Sequence, residues 1–376
     1  MADLKTRKVA GPEGETTHVP LDKVEAALGH RLKAAGDDVH GSVRRARMSN
    51  LIIYCSEVDR ACHAEALVPE IVALHPARVI LLVAEARATT GDVTASVLVR
   101  RVDGDDRLVS EQVTLHAGGP MVDRLPSAVR GLLIGDLPTN LWWACSTPPP
   151  TAGPLLAELA DHAQQVIYDS LGWADPNRAV AATSDWLERF ERGPASGRWR
   201  IASDLNWRRL KTWRRLLTQG LDPVTAPGLL AAITEVVIEH GPHAVTQAWQ
   251  LAGWLASRLG WAYREGQIRD QSEIAIRFDA PHGPVALRID RLPDGLPQIR
   301  RVRFAGGGGA LEFAAESADR LAVIPQGDDA RPRTVAVPGQ KAAELIGRQL
   351  SDREPDPVFR ESMKVAQQLA RHVVGS

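Results

Sequence analysis

Four short apolar runs separated by helical patterns constrain the fold of this chain more than any other feature of its sequence. The runs are residues 51–55, 78–85, 140–145 and 165–169. The run at 78–85, RVILLVAE, is nearly continuous, as in a strand that is covered on both faces of a sheet. Residues 57–74 and 121–134 between the runs have the 3.6-residue periodicity of helices. Strands that alternate with helices predict a three-layer α/β domain.

The second half of the sequence has a different pattern. Short strand-like segments follow one another at residues 273–278, 285–289, 298–304, 311–315 and 320–324, and helical patterns occupy 340–350 and 357–372. Successive short strands joined by turn residues predict an α+β domain with an antiparallel sheet. Residues 193–197, GPASG, are the predicted linker. We therefore expect a disordered tail at 1–19, an N-terminal α/β domain at 20–192 and a C-terminal α+β domain at 193–376.

The composition is typical of a globular protein of the cytoplasm. The chain has 376 residues and a formal net charge of −1, and a nearly neutral chain without a basic stripe is not expected to bind nucleic acid. Cys55, Cys62 and Cys145 form no CxxC pair, which favours a reducing compartment. No apolar segment approaches the ~20 residues of a membrane span, and no signal-peptide pattern follows the N-terminus. We expect a cytoplasmic protein with no membrane partner.

Motifs that would carry catalysis, a cofactor or a metal ion are missing from the sequence. It contains no Walker loop, no GxGxxG after a strand and no GxSxG. Four glycines at 306–309 favour a hairpin loop over a phosphate site, because no helix follows them. Cys62 and His63 lack a second pair at metal-ligand spacing, and His75 has no nucleophile or carboxylate spaced beside it. The sequence thus offers no catalytic, cofactor-binding or metal-binding residue.

Tryptophan is concentrated in the middle of the chain. All ten tryptophans lie between Trp142 and Trp261, and Trp is enriched at protein interfaces. Trp142 and Trp143 are adjacent on a predicted strand, so their side chains point to opposite faces of the sheet. One can enter the core, while the other meets a helix layer or a cleft. A Trp-rich helical pattern at 249–261 contains Gly253, which permits the close approach of another helix.

The segment 204–217, DLNWRRLKTWRRLL, is the densest of these features. Asp204 can cap a helix over 204–219, whose apolar face carries Trp207 and Trp213. Its other face, with Arg208, Lys211 and Arg215 directed outward, is either a solvated surface or a docking surface for an acidic or phosphorylated partner. The candidate partner-binding residues are Trp142, Trp143, Asp204, Asn206, Trp207, Arg208, Arg209, Lys211, Trp213, Arg214 and Arg215.

These segments together resemble the OpcA family of glucose-6-phosphate dehydrogenase assembly proteins. The matching stretches are HPARVI at 75–80, DLPTNLWW at 136–143, DLNWRRLKTWRRLL at 204–217 and LAGWLASRLGW at 251–261. The resemblance implies a non-catalytic partner protein without a cofactor, which assembles or allosterically activates glucose-6-phosphate dehydrogenase in the oxidative pentose phosphate pathway.

A second function stays open at this point. Asp169 and Ser170 end a predicted strand, and α/β sheets place ligands at the carboxyl ends of their strands. The alternative is therefore a sugar-phosphate-binding protein or a hydrolase of the same pathway, with arginine and histidine side chains that grip a phosphate near these two residues.

Overall fold

A computed structural model describes residues 16–37, 44–45, 47–88, 92–102, 105–192, 200–270, 272–325, 331–337 and 341–374. The predicted linker at 193–197 and residues 1–15 of the predicted tail lie outside this part of the chain. Residues 17–19 of that tail are described and form a strand, so the predicted disorder is wrong for them. Thr17 pairs with Val97 of a neighbouring strand, and these backbone hydrogen bonds order the segment.

The first half of the chain alternates strands with helices, as the apolar runs predict. Its strands are β1 (Thr17–Val19), β2 (Arg44–Arg45), β3 (Ser49–Cys55), β4 (Ala77–Glu85), β5 (Thr94–Val102), β6 (Asp105–Gly118), β7 (Thr139–Trp143), β8 (Gln165–Tyr168) and β9 (Ile201–Asp204). Its helices are α1 (Val24–Asp37), α2 (Val58–Leu74), α3 (Leu125–Arg130), α4 (Pro154–Ala160) and α5 (Pro176–Glu191).

Six of these strands form a parallel sheet in the order β6-β4-β3-β7-β8-β9. Because β3 lies in the middle and the chain then winds outward in both directions, this is the strand order of a doubly wound dinucleotide-binding fold. β5 adds antiparallel to β6, and β1 adds antiparallel to β5. The order reverses between β3 and β7, which makes their carboxyl ends the topological switch point.

The first sheet is covered on both faces, which confirms the three-layer prediction. On one face, Ile53 and Leu81 pack with Ile71 of α2 and Ile346 of a helix near the end of the chain. The opposite face, which includes Ile52, packs against the remaining helices of this half. Successive strand residues enter different cores because their side chains alternate between the two faces.

The second half contains a second sheet, which has one strand fewer than the first among the described residues, and further helices. The helices are α6 (Leu205–Arg209), α7 (Lys211–Gly220), α8 (Leu229–Ala232), α9 (Val245–Leu259), α10 (Ala342–Ser351) and α11 (Pro357–Val374). The strands are β10 (Glu235–His240), β11 (Ala262–Arg269), β12 (Glu273–Ala280), β13 (Gly283–Arg291), β14 (Ile299–Gly306), β15 (Gly309–Ser317), β16 (Arg320–Pro325) and β17 (Arg333–Ala336). The sheet order is β11-β12-β13-β10-β14-β15-β16-β17.

This second sheet is mixed, and the expectation of an antiparallel sheet is wrong at one strand. β10 was not predicted, yet it lies in the centre of the sheet, where Ile238 pairs in parallel with Ile289 of β13. The chain leaves β10 through α9 and returns through β11 and β12, a crossover that permits parallel pairing. The four glycines form the β14–β15 hairpin as predicted, with positive φ at Gly307 and Gly308.

Glycines permit two close helix contacts, one within the second half and one between the two halves. A Cβ atom on Gly253 of α9 would lie 2.3 Å from the Ser362 carbonyl oxygen of α11, so that glycine permits this helix crossing, as predicted. α10 returns to the first half and packs on α2, where Gly347 contacts Leu74. β9 also extends the first sheet to Asp204, beyond the boundary expected at 192, and a domain division at that position stays a prediction.

Candidate functional site

A buried polar cluster lies where the carboxyl ends of β8 and β9 meet the second half of the chain. The Asp204 carboxylate accepts hydrogen bonds from the backbone N–H groups of Asn206 (2.9 Å) and Ser170 (3.1 Å). The first bond caps α6, which confirms the predicted capping role. The Asn206 amide also donates to the Ser170 hydroxyl at 3.0 Å. The turn after β8 and the start of α6 therefore hold each other in place.

Arg209 closes this cluster on the side of Asp169. Its guanidinium donates to both carboxylate oxygens of Asp169 at 2.7 Å and to the Asn206 amide oxygen at 2.9 Å. A bidentate arginine–carboxylate pair is among the stronger and more directional contacts in proteins. Both Asp169 oxygens are thus engaged by the chain itself.

Two glutamines of α9 attach the cluster to the second half. Gln250 donates to Asp204 at 2.6 Å, and Gln247 donates to Asn206 at 2.9 Å. Gln247 also accepts from the backbone N–H of Ile299 in β14 at 3.1 Å. Neither glutamine was predicted from the sequence, although two amides three positions apart in a Trp-rich apolar helix are a detectable signal. These hydrogen bonds connect the two sheets. The residues that make them are called the latch, namely Asp169, Ser170, Asp204, Asn206, Arg209, Gln247 and Gln250.

Burial governs the electrostatics of this latch. It raises the pKa of Asp204 to about 6, and the nearby Asp169 carboxylate acts in the same direction. Burial also raises the pKa of Tyr168, to which Asp204 contributes. A phosphate placed beside these groups would meet two carboxylates rather than free cations, which does not favour Asp169 and Ser170 as an anion site.

The segment 204–217 forms two short helices, α6 and α7, rather than the single helix that was predicted. Trp207 and Trp213 are buried, at 5% and 7% exposure, as expected. The Trp207 indole N–H donates to Asp356 at 2.7 Å, and the Arg214 guanidinium lies 3.3 Å above the Trp207 ring. Burial lowers the pKa of Arg214 to about 10, and Asp356 opposes that shift.

The expectation that Arg208 faces solvent is wrong. Its guanidinium donates to Gln349 and to Asp352, each at 2.8 Å, and its side chain is only 14% exposed. The reason is the return of α10, whose C-terminal end lies over this face of α6. Lys211 and Arg215 of α7 are exposed, as expected. A groove of about 300 Å³ separates α7 from the acidic segment 352–357 and is lined by Lys211 and Arg214.

Trp142 and Trp143 are both buried, at 6% and 3% exposure. Trp142 joins the core beneath α2 and α10, and Trp143 joins the core on the opposite face, as their adjacency predicts. Trp143 pairs with Tyr54 across the switch point, where the two rings stack with centroids 4.3 Å apart. Neither indole is exposed to a partner in this conformation.

In the described part of the chain, none of the helices combines the length and apolar character needed to cross a bilayer. Within the same residues, no group of three or more His, Cys, Asp or Glu side chains could hold a metal ion.

The fold resembles that of solved oxidoreductases. The chain superimposes on a mutant of the 3-ketoreductase KijD10 from Actinomadura kijaniata with a TM-score of 0.50 and 10% identity, over 89% of this chain and 98% of that one. Levoglucosan dehydrogenase in complex with NADH and L-sorbose gives a TM-score of 0.51 and 12% identity, over 88% of this chain and 96% of that one. At these identities the likeness concerns the fold alone.

Sequence comparison places the chain in the OpcA family. One family model, described as the glucose-6-phosphate dehydrogenase subunit N-terminal domain, matches residues 68–185, and its C-terminal counterpart matches residues 200–363. OpcA of Synechococcus elongatus, whose name assigns it to the OxPP cycle, is 24% identical over 94% of this chain and 76% of its own length. OpcA of Nostoc punctiforme is 32% identical over 51% of this chain and 40% of its own length. This chain belongs to the OpcA family.

The two solved oxidoreductases are complexes with NADP and NADH, so the fit of a dinucleotide to the corresponding turn of this chain is of interest. In such folds the pyrophosphate lies on a glycine-rich turn between the first strand and its helix. The corresponding turn between β3 and α2, residues 55–60, has the sequence CSEVDR and contains no glycine. Glu57 is the N-cap of α2 and Asp59 lies in its first turn, so two carboxylates stand where the pyrophosphate would bind. These residues do not fit a dinucleotide.

Proposed function

We propose that this chain is a non-catalytic assembly factor and allosteric activator that binds glucose-6-phosphate dehydrogenase and stimulates the oxidative pentose phosphate pathway. The observation that carries this proposal is the match of both halves to domains described as those of a glucose-6-phosphate dehydrogenase subunit. The turn at 55–60 supports it, because it contains none of the glycines on which doubly wound folds place a pyrophosphate.

Activation by such a partner requires a difference in affinity. If the chain binds the active conformation of the dehydrogenase more tightly than the inactive one, it shifts the population toward the active state. A coupling free energy of ~1–3 kcal/mol corresponds to a change of about 5- to 150-fold in binding affinity.

We further propose that the exposed cations of α7 contact the dehydrogenase. Lys211 and Arg215 are four residues apart on one helix face, and Lys211 also lines the groove of about 300 Å³. Arg208 is already engaged by Asp352, so it is not part of this contact. An acidic patch on the dehydrogenase is the complementary surface, and such contacts weaken as salt increases.

Dehydrogenase kinetics with and without this chain test the proposal. We expect a lower apparent KM or a higher kcat when the chain is added, and no turnover of a hexose phosphate or its lactone by the chain alone. Unchanged kinetics at a saturating concentration of the chain, together with separate elution of the two proteins on a sizing column, would refute the proposed function.

A pair of charge reversals tests the surface separately. Lys211→Glu/Arg215→Glu should leave folding nearly intact, since exposed charges contribute ~0–1 kcal/mol, and should weaken activation most at low salt. The matched control is Lys33→Glu/Lys364→Glu, which reverses two exposed cations elsewhere. If both variants activate as well as the unmodified chain, the contact surface lies elsewhere while the proposed function stands.

The alternative of a sugar-phosphate-binding protein or hydrolase placed its site at Asp169 and Ser170. Asp169 is held by Arg209 through both carboxylate oxygens, and the Ser170 hydroxyl accepts from Asn206. The geometry of these residues gives that alternative no support. Turnover by the chain alone in the kinetic experiment would reinstate it.

A further inference from the structure

The second sheet has two faces of opposite character. On one face, Ile276, Leu287 and Val302 are buried in a core that includes Trp249 of α9. On the other face the alternate residues of the same strands are polar and small. Arg277 and Glu265 on this outer face have side chains that are 68% and 57% exposed. The outer face is this second surface of the sheet, which carries Arg277 and Glu265.

Cross-strand ion pairs cover the outer face. Its outward charged residues include Arg269, Arg277, Arg288, Arg301, Arg303, Glu235, Glu239, Glu265, Glu273, Asp290 and Glu312. Arg277 lies 2.7 Å from Glu265, and Arg303 lies 3.2 Å from Glu235. Positive and negative groups therefore alternate between neighbouring strands, as Arg301 and Arg303 of β14 do with Glu239 and Glu235 of β10.

Small residues keep this face flat. Alanines occupy outward positions on four strands, namely Ala275, Ala286, Ala305 and Ala314. Alanine is depleted in β-strands, where larger side chains pack better against their neighbours. A flat face allows a second sheet to approach to the ~10 Å separation of packed sheets.

The size and charge of the outer face suit a second copy of the same surface. About twenty outward residues in three rows, at roughly 30 Å² each from the strand spacing and rise, give an area of about 600–700 Å². Stable interfaces bury about 600–1,000 Å² per partner, and a two-fold dimer needs a patch complementary to itself. An alternating pattern meets that need, whereas a patch of one sign would repel its copy.

We propose that two copies of this chain associate through the outer faces of their second sheets. The association goes beyond the proposed function, because it requires no dehydrogenase. Sedimentation velocity of the full chain from about 1 to about 100 μM, a range that spans ordinary dimer affinities, should show the mass rising from monomer to dimer. The dimer should dissociate more readily at high salt. A monomer across the whole range would overturn the proposal.

Matched variants locate the contact. Ala275→Glu/Ala286→Glu adds two negative charges beside Arg288 and Arg277, so the sheet should still form while the two outer faces repel each other. Thr218→Glu/Gln219→Glu adds the same charge to exposed positions of α7. We expect a monomer from the first variant and an unchanged dimer from the second. A dimer of normal stability from the first variant would contradict the proposal.

Carboxyl labelling of the unmodified chain gives a readout that does not depend on a variant. Reaction with a carbodiimide and an amine should label Glu265 less at high protein concentration than at low, while exposed Glu354 keeps its reactivity. Equal labelling of both residues at all concentrations would overturn the proposal. Dehydrogenase activation by the Ala275→Glu/Ala286→Glu variant then decides whether dimerisation and activation are separable.

Discussion

Tyr54 and Trp143 stack with their ring centroids 4.3 Å apart and their planes 11° apart, at the point where the strand order of the first sheet reverses. The Trp143 indole N–H also donates to the Thr147 carbonyl at 2.9 Å. Doubly wound sheets bind ligands in the crevice at this point. In this chain both rings at this point are buried, and the indole hydrogen bond ties Trp143 to the loop that follows its strand.

Removal of the stacked indole should destabilise the fold strongly. Trp143→Ala leaves a cavity and an unstacked Tyr54, and the free energy of unfolding should fall by ~3–5 kcal/mol. Urea denaturation measures this change. Val224→Ala, at a side chain that is 90% exposed, is the control and should change it by less than ~0.5 kcal/mol. Equal small effects from both variants would contradict the assigned packing.

Two glycine substitutions should have opposite effects. Gly253→Ala places a Cβ 2.3 Å from the Ser362 carbonyl oxygen at the crossing of α9 and α11, and should destabilise the protein by ~1–3 kcal/mol. Gly29→Ala in α1 meets no atom within 4 Å, and should stabilise the protein by ~0.5–1 kcal/mol. Thermal melting of the two variants measures both effects. Equal melting temperatures would refute the helix crossing.

The latch should make stability depend on pH through Asp204. Burial raises its pKa from 3.8 to about 6, so between these values the folded chain binds more protons than the unfolded chain. The free energy of unfolding therefore falls as pH rises from about 4 to about 6, and this contribution is constant above that range. The loss is on the order of 2–3 kcal/mol.

Asp204→Asn removes this titration and serves as the reference. Its amide oxygen can still accept from the backbone at Ser170 and Asn206, and its amide N–H can donate to the Gln250 side-chain oxygen, which has no partner in the described structure. Urea denaturation from pH 4 to pH 8 should give a wild-type-minus-variant difference that falls through this window and then levels off. A flat difference would show that Asp204 titrates normally.

The buried thiols should be chemically inert. Burial raises the pKa of Cys55 and of Cys145 to about 12, so almost no thiolate forms near neutral pH. Cys62 is partly exposed. A thiol reagent at pH 8 should therefore modify one cysteine rapidly and the other two only after denaturant is added. Rapid modification of all three in the native protein would contradict this burial.

Periodicity predicted the first sheet well because each of its central strands is a short apolar run between helices. It missed β10, whose sequence EVVIEH contains only three consecutive apolar residues, between Glu235 and Glu239. Glu235 and Glu239 lie on the outer face beside arginines, while Val236 and Ile238 enter the core. A strand in the centre of a sheet with one polar face does not give a continuous apolar signal.

The arrangement of the candidate site depends on contacts between residues that are distant in sequence. A helical wheel places Arg208 on a polar face, but it cannot show that Gln349 and Asp352, more than 140 positions later, return to cover that face. The cap at Asp204 was predictable because its partner, Asn206, lies two residues away. The sequence therefore predicted the local helix cap, whereas only the structure shows the contacts that join the two halves.

The proposed function requires that this chain binds a glucose-6-phosphate dehydrogenase and shifts it toward its active state. Its most direct test follows dehydrogenase activity and sedimentation in the same mixtures as the chain is titrated at constant enzyme concentration. We predict that both signals saturate at one ratio, with the two proteins in a single faster boundary and the apparent KM lowered or kcat raised. Two separate boundaries with unchanged activity at every ratio would contradict the claim.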